Sequence, residues 1–170
     1  MLLYYITDRM QFAGDEVSRR RLLLDKIGEA AACGVDFIQL REKDLPPREL
    51  EELACEAMQV VQKNSGEKTR LLINSRSDVA LASGAAGVHL RSDDIFPRDI
   101  RLLWQSSGKI PTIGVSCHSL ADVERAKIEG ADFTVFGPVF EKKNSRPAGL
   151  DLLRKACAFQ IPVLALGGIT

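Results

Sequence analysis

Seven short runs rich in apolar and β-branched residues recur along this chain, and helical stretches separate them. The runs cover residues 2–6, 37–40, 70–73, 87–90, 112–116, 133–137 and 162–166. Several are nearly continuous apolar stretches, the pattern of parallel strands covered on both faces. The intervening signals are helical. Pro46-Pro47 opens one helix, because Pro suits a first turn. Leu50, Leu53, Ala54, Ala57, Met58 and Val61 then share one helical stripe, and Gly66 lies just beyond it. Ser119 and Asp122 read as a capping box that starts a helix ending at Gly130. An earlier helix covers residues 16–33. A weak internal repeat supports the alternation. Gly34, Gly84 and Gly130 recur at intervals of 50 and 46 residues, each a helix-stopping glycine before a strand.

Alternating strands and helices predict an α/β fold with a parallel sheet. Seven such strands predict a TIM (β/α)8 barrel, truncated after strand seven, in a single domain over residues 1–170. A doubly wound sheet is the competing topology. It favours a glycine-rich turn after the first strand, where this chain has Thr7-Asp8-Arg9. A complete barrel has eight strands, typically in about 250 residues and at least about 200. The 170-residue chain is therefore expected to lack helix seven, strand eight and helix eight. Strands one and seven would then be open edges.

Bulk features narrow the function. Lys+Arg and Asp+Glu both number 23, giving zero formal net charge. This balance argues against a nucleic-acid-coating protein and against a polybasic membrane binder. No apolar run approaches the ~18 residues of a membrane span, and the N-terminus lacks the basic region of a signal peptide. Cys33, Cys55, Cys117 and Cys157 stand far apart without metal-ligand spacing. The expectation is a reduced, cytoplasmic protein.

In a βα barrel the chemistry collects where the strands end. Strand one runs into Thr7-Asp8-Arg9, strand two into Gln39, Arg41 and Lys43, and strand three into Asn74-Ser75-Arg76. Strand four ends at His89, Arg91, Asp93 and Asp94, and strand five at Ser116-Cys117-His118-Ser119. Strand six leads to the segment 141–146, and strand seven to Gly167-Gly168. Arg41, Lys43, Lys142, Lys143 and Arg146 suit phosphate oxygens. Asp93 and Asp94 suit Mg²⁺, which takes carboxylates together with substrate phosphates. Gly167-Gly168 lets backbone N–H groups approach a phosphate closely. The set points to a phosphorylated or diphosphorylated small substrate. Each piece also has a plainer reading: Asp93-Asp94 could cap the next helix, His89 could be a core residue, and Trp104 could simply pack. No Ser/His/Asp, HExxH, P-loop or GxGxxG signature occurs.

The ordered motifs are specific. Tyr5-Ile6-Thr7-Asp8-Arg9, Gln39-Leu40-Arg41-Glu42-Lys43, Leu72-Ile73-Asn74, Gly87-Val88-His89-Leu90, Gly114-Val115-Ser116-Cys117-His118-Ser119, Phe136-Gly137-Pro138-Val139-Phe140 and Leu166-Gly167-Gly168-Ile169-Thr170 resemble the thiamine-phosphate synthase family. That family includes the related thiazole tautomerases. The resemblance runs through essentially the whole chain. It implies a TIM barrel and a transferase that joins a hydroxymethylpyrimidine diphosphate to a thiazole phosphate, with loss of pyrophosphate. It implies that Gln39, Leu40, Arg41, Glu42, Lys43 and Asn74 form the pyrimidine diphosphate side of the site. Asp94 is implied as a Mg²⁺ ligand and Ser116 as a pyrophosphate contact. Lys142, Asn144 and Ser145 are implied to meet the thiazole substrate, and Gly168 its phosphate. Arg41, Lys43, Ser116 and His118 are the implied catalytic set. In the implied mechanism the diphosphate leaves first and the thiazole nitrogen captures the resulting cation.

The chain departs from the family pattern in two motifs. Ser75 stands where the family has a metal-binding Asp, and Glu141-Lys142-Lys143-Asn144-Ser145 replaces the usual Pro-Thr-x-Thr-Lys loop. Two alternatives therefore accompany the synthase reading. One is a thiazole tautomerase that uses His118 for proton transfer without Mg²⁺. The other is a non-catalytic barrel that binds a phosphate ligand. A homo-oligomer is compatible with such enzymes, although no sequence feature establishes one.

Overall fold

The computed structural model describes residues 2–66, 68–140 and 147–168. The strands are β1 (Tyr4–Ile6), β2 (Phe37–Leu40), β3 (Arg70–Asn74), β4 (Gly87–Leu90), β5 (Thr112–Cys117), β6 (Phe133–Phe136) and β7 (Val163–Ala165). The helices are α1 (Glu16–Ala32), α2 (Pro47–Ser65), α3 (Ser77–Ser83), α4 (Pro97–Trp104), α5 (Leu120–Ile128) and α6 (Gly149–Cys157). Strand neighbours follow the chain order from β1 to β7. Short 3-10 turns occur at Arg9–Gln11 and Gln105–Ser107. Internal contacts group into two compact units, Met1–Val88 and His89–Thr170.

In the first unit β1, β2 and β3 pair in parallel. Tyr5 stands opposite Ile38, and Gln39 opposite Leu72. Ile38, Leu40, Leu71, Leu72 and Ile73 are buried, as parallel strands covered on both faces require. The stripe read in α2 lands on its packed side. Leu50, Leu53, Ala54, Ala57 and Val61 are buried, and Met58 is half-buried at the edge. Burying each of the large members contributes about 1.5–3 kcal/mol. α1 packs on α2 and α2 on α3. Gly28 permits the first contact, because a Cβ there would come within 3.2 Å of Val60 Cγ1.

In the second unit β5, β6 and β7 pair in parallel, with Val115 opposite Thr134 and Val135 opposite Leu164. Ile100, Trp104, Ile113, Val123, Phe133 and Phe136 are buried, so Trp104 packs rather than serving a ligand. Both halves of the capping box form at α5. Ser119 Oγ accepts from the Asp122 N–H, and the Asp122 carboxylate accepts from the Ser119 N–H. Gly34, Gly84 and Gly130 all adopt left-handed φ, at 80°, 70° and 84°. The repeat read in the sequence is thus a repeated helix stop, placed where a side chain would add strain.

Gln160, just after α6, also holds a left-handed φ of 57° and is exposed. A non-glycine residue pays for that conformation with roughly 1 kcal/mol. Gln160→Gly is expected to leave the fold intact and to leave stability unchanged or raise it by up to about 0.5 kcal/mol, because glycine's extra freedom in the unfolded chain offsets much of the relieved strain. Thermal and urea unfolding check this, and a lower Tm would contradict it.

Candidate active site

The first unit carries a cationic segment held by a buried ion cluster. β1 ends at Thr7, and the chain turns at once through Arg9. Arg9 is buried, with its side chain 4% exposed, and the Glu42 side chain is 1% exposed. Arg9 Nη1 donates to Glu42 Oε2 at 3.2 Å and to Asp44 Oδ1 at 2.7 Å. Its Nη2 donates to Asp44 Oδ2 at 2.7 Å, and its Nε to Glu16 Oε1 at 2.7 Å. Glu42 also accepts from the Thr7 hydroxyl at 2.5 Å and from the Arg9 main-chain N–H at 3.0 Å. Buried charges persist only when their donors and acceptors are matched in this way. The bonds to Asp44 are the main reason the Arg9 proton is held more tightly than usual, against the opposing effect of burial. In turn, the Arg9 guanidinium draws the Asp44 carboxyl below the usual carboxylate range.

Arg41 and Lys43 flank Glu42. Arg41 is half-buried and Lys43 exposed. The Arg41 main-chain N–H donates to Thr7 Oγ1 at 2.9 Å. Gln39, the last polar residue within β2, is buried and donates from Nε2 to Asn74 Oδ1 at 3.3 Å. Asn74 Nδ2 in turn donates to Ser75 Oγ at 3.3 Å. The ends of β2 and β3 therefore join Gln39, Asn74 and Ser75 in one chain of polar groups. Ser75 has a φ of 59°, and the Arg76 N–H donates across it to Asn74 O at 2.7 Å. Asn, Asp and Gly tolerate that backbone region better than Ser. The aspartate implied by the family pattern would suit this turn sterically.

Two residues read as substrate contacts have their side chains committed to the fold. Leu40 is fully buried in the core, and Glu42 is enclosed by Arg9 and Thr7. Only their main chain is available to a ligand. The sequence reading passed over the partnership of Arg9 with Glu42. Its one signal was an arginine at a strand end beside a carboxylate-rich Arg-Glu-Lys-Asp segment.

The second unit carries a histidine, serine and aspartate set. His89 is buried at the end of β4, with Nε2 2.8 Å from Ser116 Oγ on β5. Its ring lies 6.4 Å from the Phe133 ring. Gly114 makes room for both, since a Cβ there would run into Phe133 and come within 3.0 Å of His89 Nδ1. His89 is thus a core residue, as read, and also the partner of a candidate ligand residue. His118 is exposed, and its Nδ1 lies 2.7 Å from the Gly137 carbonyl. A carbonyl can only accept, so Nδ1 carries the proton and the neutral ring keeps its lone pair on Nε2. Cys117 between them is buried, and desolvation pushes its thiol up to about 12.

Asp94 does not cap α4. The residue before that helix is Phe96, which supplies no side-chain cap. The Asp94 carboxylate instead accepts from the Arg91 main-chain N–H at 2.8 Å and from Arg91 Nε at 3.1 Å. Its side chain is 12% exposed, whereas that of Asp93 is 73% exposed. Both bonds hold the carboxylate in place, and a carboxylate is a hard oxygen ligand of the kind Mg²⁺ takes. Among the described residues no group of three or more His, Cys, Asp or Glu side chains forms a metal cage. Mg²⁺ asks less of a protein, one or two carboxylates with phosphate and water completing the shell, and Asp94 fits that need. Gly168 is exposed beyond β7 with a φ of 66°. Lys142, Asn144 and Ser145 lie outside the described residues. No helix among the described residues is long and apolar enough to cross a membrane.

Comparison with known proteins fits these features. The solved thiamine phosphate pyrophosphorylase of Pyrococcus furiosus superposes with a TM-score of 0.81 at 32% identity, covering 99% of this chain and 76% of that one. A 3-hexulose-6-phosphate synthase shares the fold alone, with a TM-score of 0.66 at 16% identity, covering 100% of this chain and 81% of that one. The fold class is the TIM (β/α)8 barrel, with seven strands among the described residues. The model of the family described as thiamine monophosphate synthase matches residues 3–170. A thiamine-phosphate synthase of Solidesulfovibrio magneticus is 38% identical, covering 95% of this chain and 73% of that protein. One of Caldanaerobacter subterraneus is 34% identical, covering 98% and 74%. The chain belongs to the thiamine monophosphate synthase family, a family of transferases.

The depressed Asp44 carboxyl has a pH consequence. A carboxyl whose pKa falls on folding adds stability above its unfolded value of about 3.9, and that stability is lost as pH drops through the folded value. Asp44→Asn is expected to lower Tm near neutral pH. The gap from the wild type should then shrink between about pH 5 and about pH 2. A pH-independent gap would contradict the pairing.

Proposed function

We propose that this chain joins a hydroxymethylpyrimidine diphosphate to a thiazole phosphate, giving thiamine phosphate and pyrophosphate. The observation that carries this reading is the β2 exit. There a buried Glu42 sets Arg41 and Lys43 on either side, next to the bonded pair of Gln39 and Asn74. These are the residue types a diphosphate needs, in the order the family has them.

The chemistry asks for little covalent help. The bond from the pyrimidine methylene carbon to the diphosphate oxygen breaks, and its electron pair leaves with the diphosphate. The thiazole nitrogen then gives its lone pair to the new carbon–nitrogen bond. The site must neutralise the leaving group and align two substrates. Arg41 and Lys43 serve the first need, and Gln39 and Asn74 orient the pyrimidine side. The family pattern gives Ser116, bonded within its own unit to His89, to the diphosphate, and Gly168 to the thiazole phosphate. Mg²⁺, with Asp94 as its protein ligand, would supply further positive charge to the diphosphate. Cys117 has no part, because a thiol raised to about 12 is not a thiolate near neutral pH. The unpaired thiols fit a reducing, cytoplasmic setting.

One observation favours a second reading. The bond of His118 to Gly137 occupies Nδ1 and leaves Nε2 open on an exposed ring, where a tautomerase acting on a thiazole carboxylate phosphate would need a proton-transfer group.

Pyrophosphate release from the two synthase substrates, with and without Mg²⁺, tests the proposal. Release that depends on metal is the expected result. Isomerisation that depends on His118, without such release, would replace the synthase reading with the tautomerase. Arg41→Ala is expected to reduce kcat/KM by roughly 100-fold or more, as for loss of one charge-stabilising group. Near-normal rates would remove Arg41 from the site. Ser75→Asp, which restores the family's carboxylate, is expected to lower the Mg²⁺ concentration giving half-maximal rate. An unchanged titration would show that Ser75 is not at the metal.

A further inference from the structure

We propose that Glu42, with Thr7 and Arg9 as its lock, is a positioning residue that acts on the reaction through Arg41 and Lys43. The inference rests on the reading that these two cations hold the pyrimidine diphosphate.

The bonding of Glu42 leaves no route for substrate. Oε1 accepts the Thr7 hydroxyl, and Oε2 accepts both the Arg9 main-chain N–H and Nη1. Its side chain is 1% exposed. Arg9 is enclosed as well, with Nε, Nη1 and Nη2 all spent on Glu16, Glu42 and Asp44. Neither charge can meet a ligand without first breaking this cluster.

The lock nevertheless reaches the cations through the backbone. The Thr7 hydroxyl gives its proton to Glu42 and takes the Arg41 N–H on its oxygen. One side chain of the β1 exit therefore fixes both the main chain at Arg41 and the side chain next to it. The regular ladder between these strands ends nearby, with the Thr7 N–H on Gln39 O at 3.0 Å. Beyond that point the β2 exit is tied to β1 by Thr7 and Arg9. Just past β2 the Leu45 N–H donates to Glu42 O at 3.4 Å, closing a turn that contains Lys43. Anchoring Glu42 therefore fixes the residue between Arg41, which is half-buried, and Lys43, which is exposed. A flexible segment would lose ordering entropy on binding; a segment already held has lost it beforehand.

The test compares Thr7→Val, which keeps the shape and removes the relay, with Thr7→Ser, which keeps a hydroxyl. In the full chain, Thr7→Val is expected to lower kcat/KM for the pyrimidine diphosphate about tenfold. It should weaken binding of inorganic pyrophosphate to a similar degree and leave the KM for thiazole phosphate unchanged. Thr7→Ser should restore most of the loss. In an Arg41→Ala background, Thr7→Val should cost clearly less than about tenfold more, since the part of its effect that runs through Arg41 is already lost. Wild-type behaviour of Thr7→Val would overturn the inference. So would equal damage to both substrates, or a full further loss in the Arg41→Ala background. If Thr7→Val does not fold, Arg9→Lys is read by the same criteria, because it keeps the charge but loses the planar fork. A wild-type chain that turns over no substrate would refute the synthase reading. Pyrophosphate binding then decides the inference alone: a Kd about tenfold weaker in Thr7→Val supports it, and an equal Kd or no binding by the wild type overturns it.

Discussion

A guanidinium taken out of water must recover its lost hydration from fixed partners, and the first unit is organised around that requirement at Arg9. Glu42, Asp44 and Glu16 come from two separate stretches of chain, and all three turn towards one cation. Removing one partner of a buried pair strands the other, at a cost of about 3–5 kcal/mol. The exits of β1 and β2 are therefore fixed with respect to each other. Every candidate ligand residue on the β2 exit inherits its place from that bond set.

The second unit reaches order by a different route. Its histidines are placed by packing and single hydrogen bonds rather than by a cluster of charges, whereas Asp94 pairs with Arg91. His89 lies beside Phe133 and over the bare Cα of Gly114, and from there it meets Ser116. His118 leans on a main-chain carbonyl next to a capped helix start. Histidine suits both settings, because its ring packs like an aromatic and still bonds at either nitrogen. Packing in this unit also decides which polar atoms face outward.

The alternation of strands and helices was legible in the sequence because each signal was local. The α2 stripe, the Ser119 box and the three stopping glycines all depend on residues within a turn of one another. The strand ends shifted by a residue or two, as at β1 and β7, where the apolar runs outlast the pairing. The site was legible as a set of residue types at strand ends. Its internal bonds were not, because Arg9 and Glu42 stand 33 residues apart in the chain. The family resemblance placed Glu42 among the ligand residues. Only the three-dimensional partner shows that its carboxylate faces Arg9. Asp94 is similar: the pattern of an aspartate before Pro97 fits a cap, but the residue at the cap position of α4 is Phe96.

The four thiols differ in a way that bears on how this molecule can be handled. Cys117 is sealed and holds its proton, while Cys33 and Cys157 are exposed. Alkylating reagents act on accessible thiolate, so Cys117 beside the candidate site is shielded from them. The two open thiols sit one in each compact unit. Each unit thus carries its own attachment point for a spectroscopic probe, at the end of a helix and without alteration of the candidate site residues.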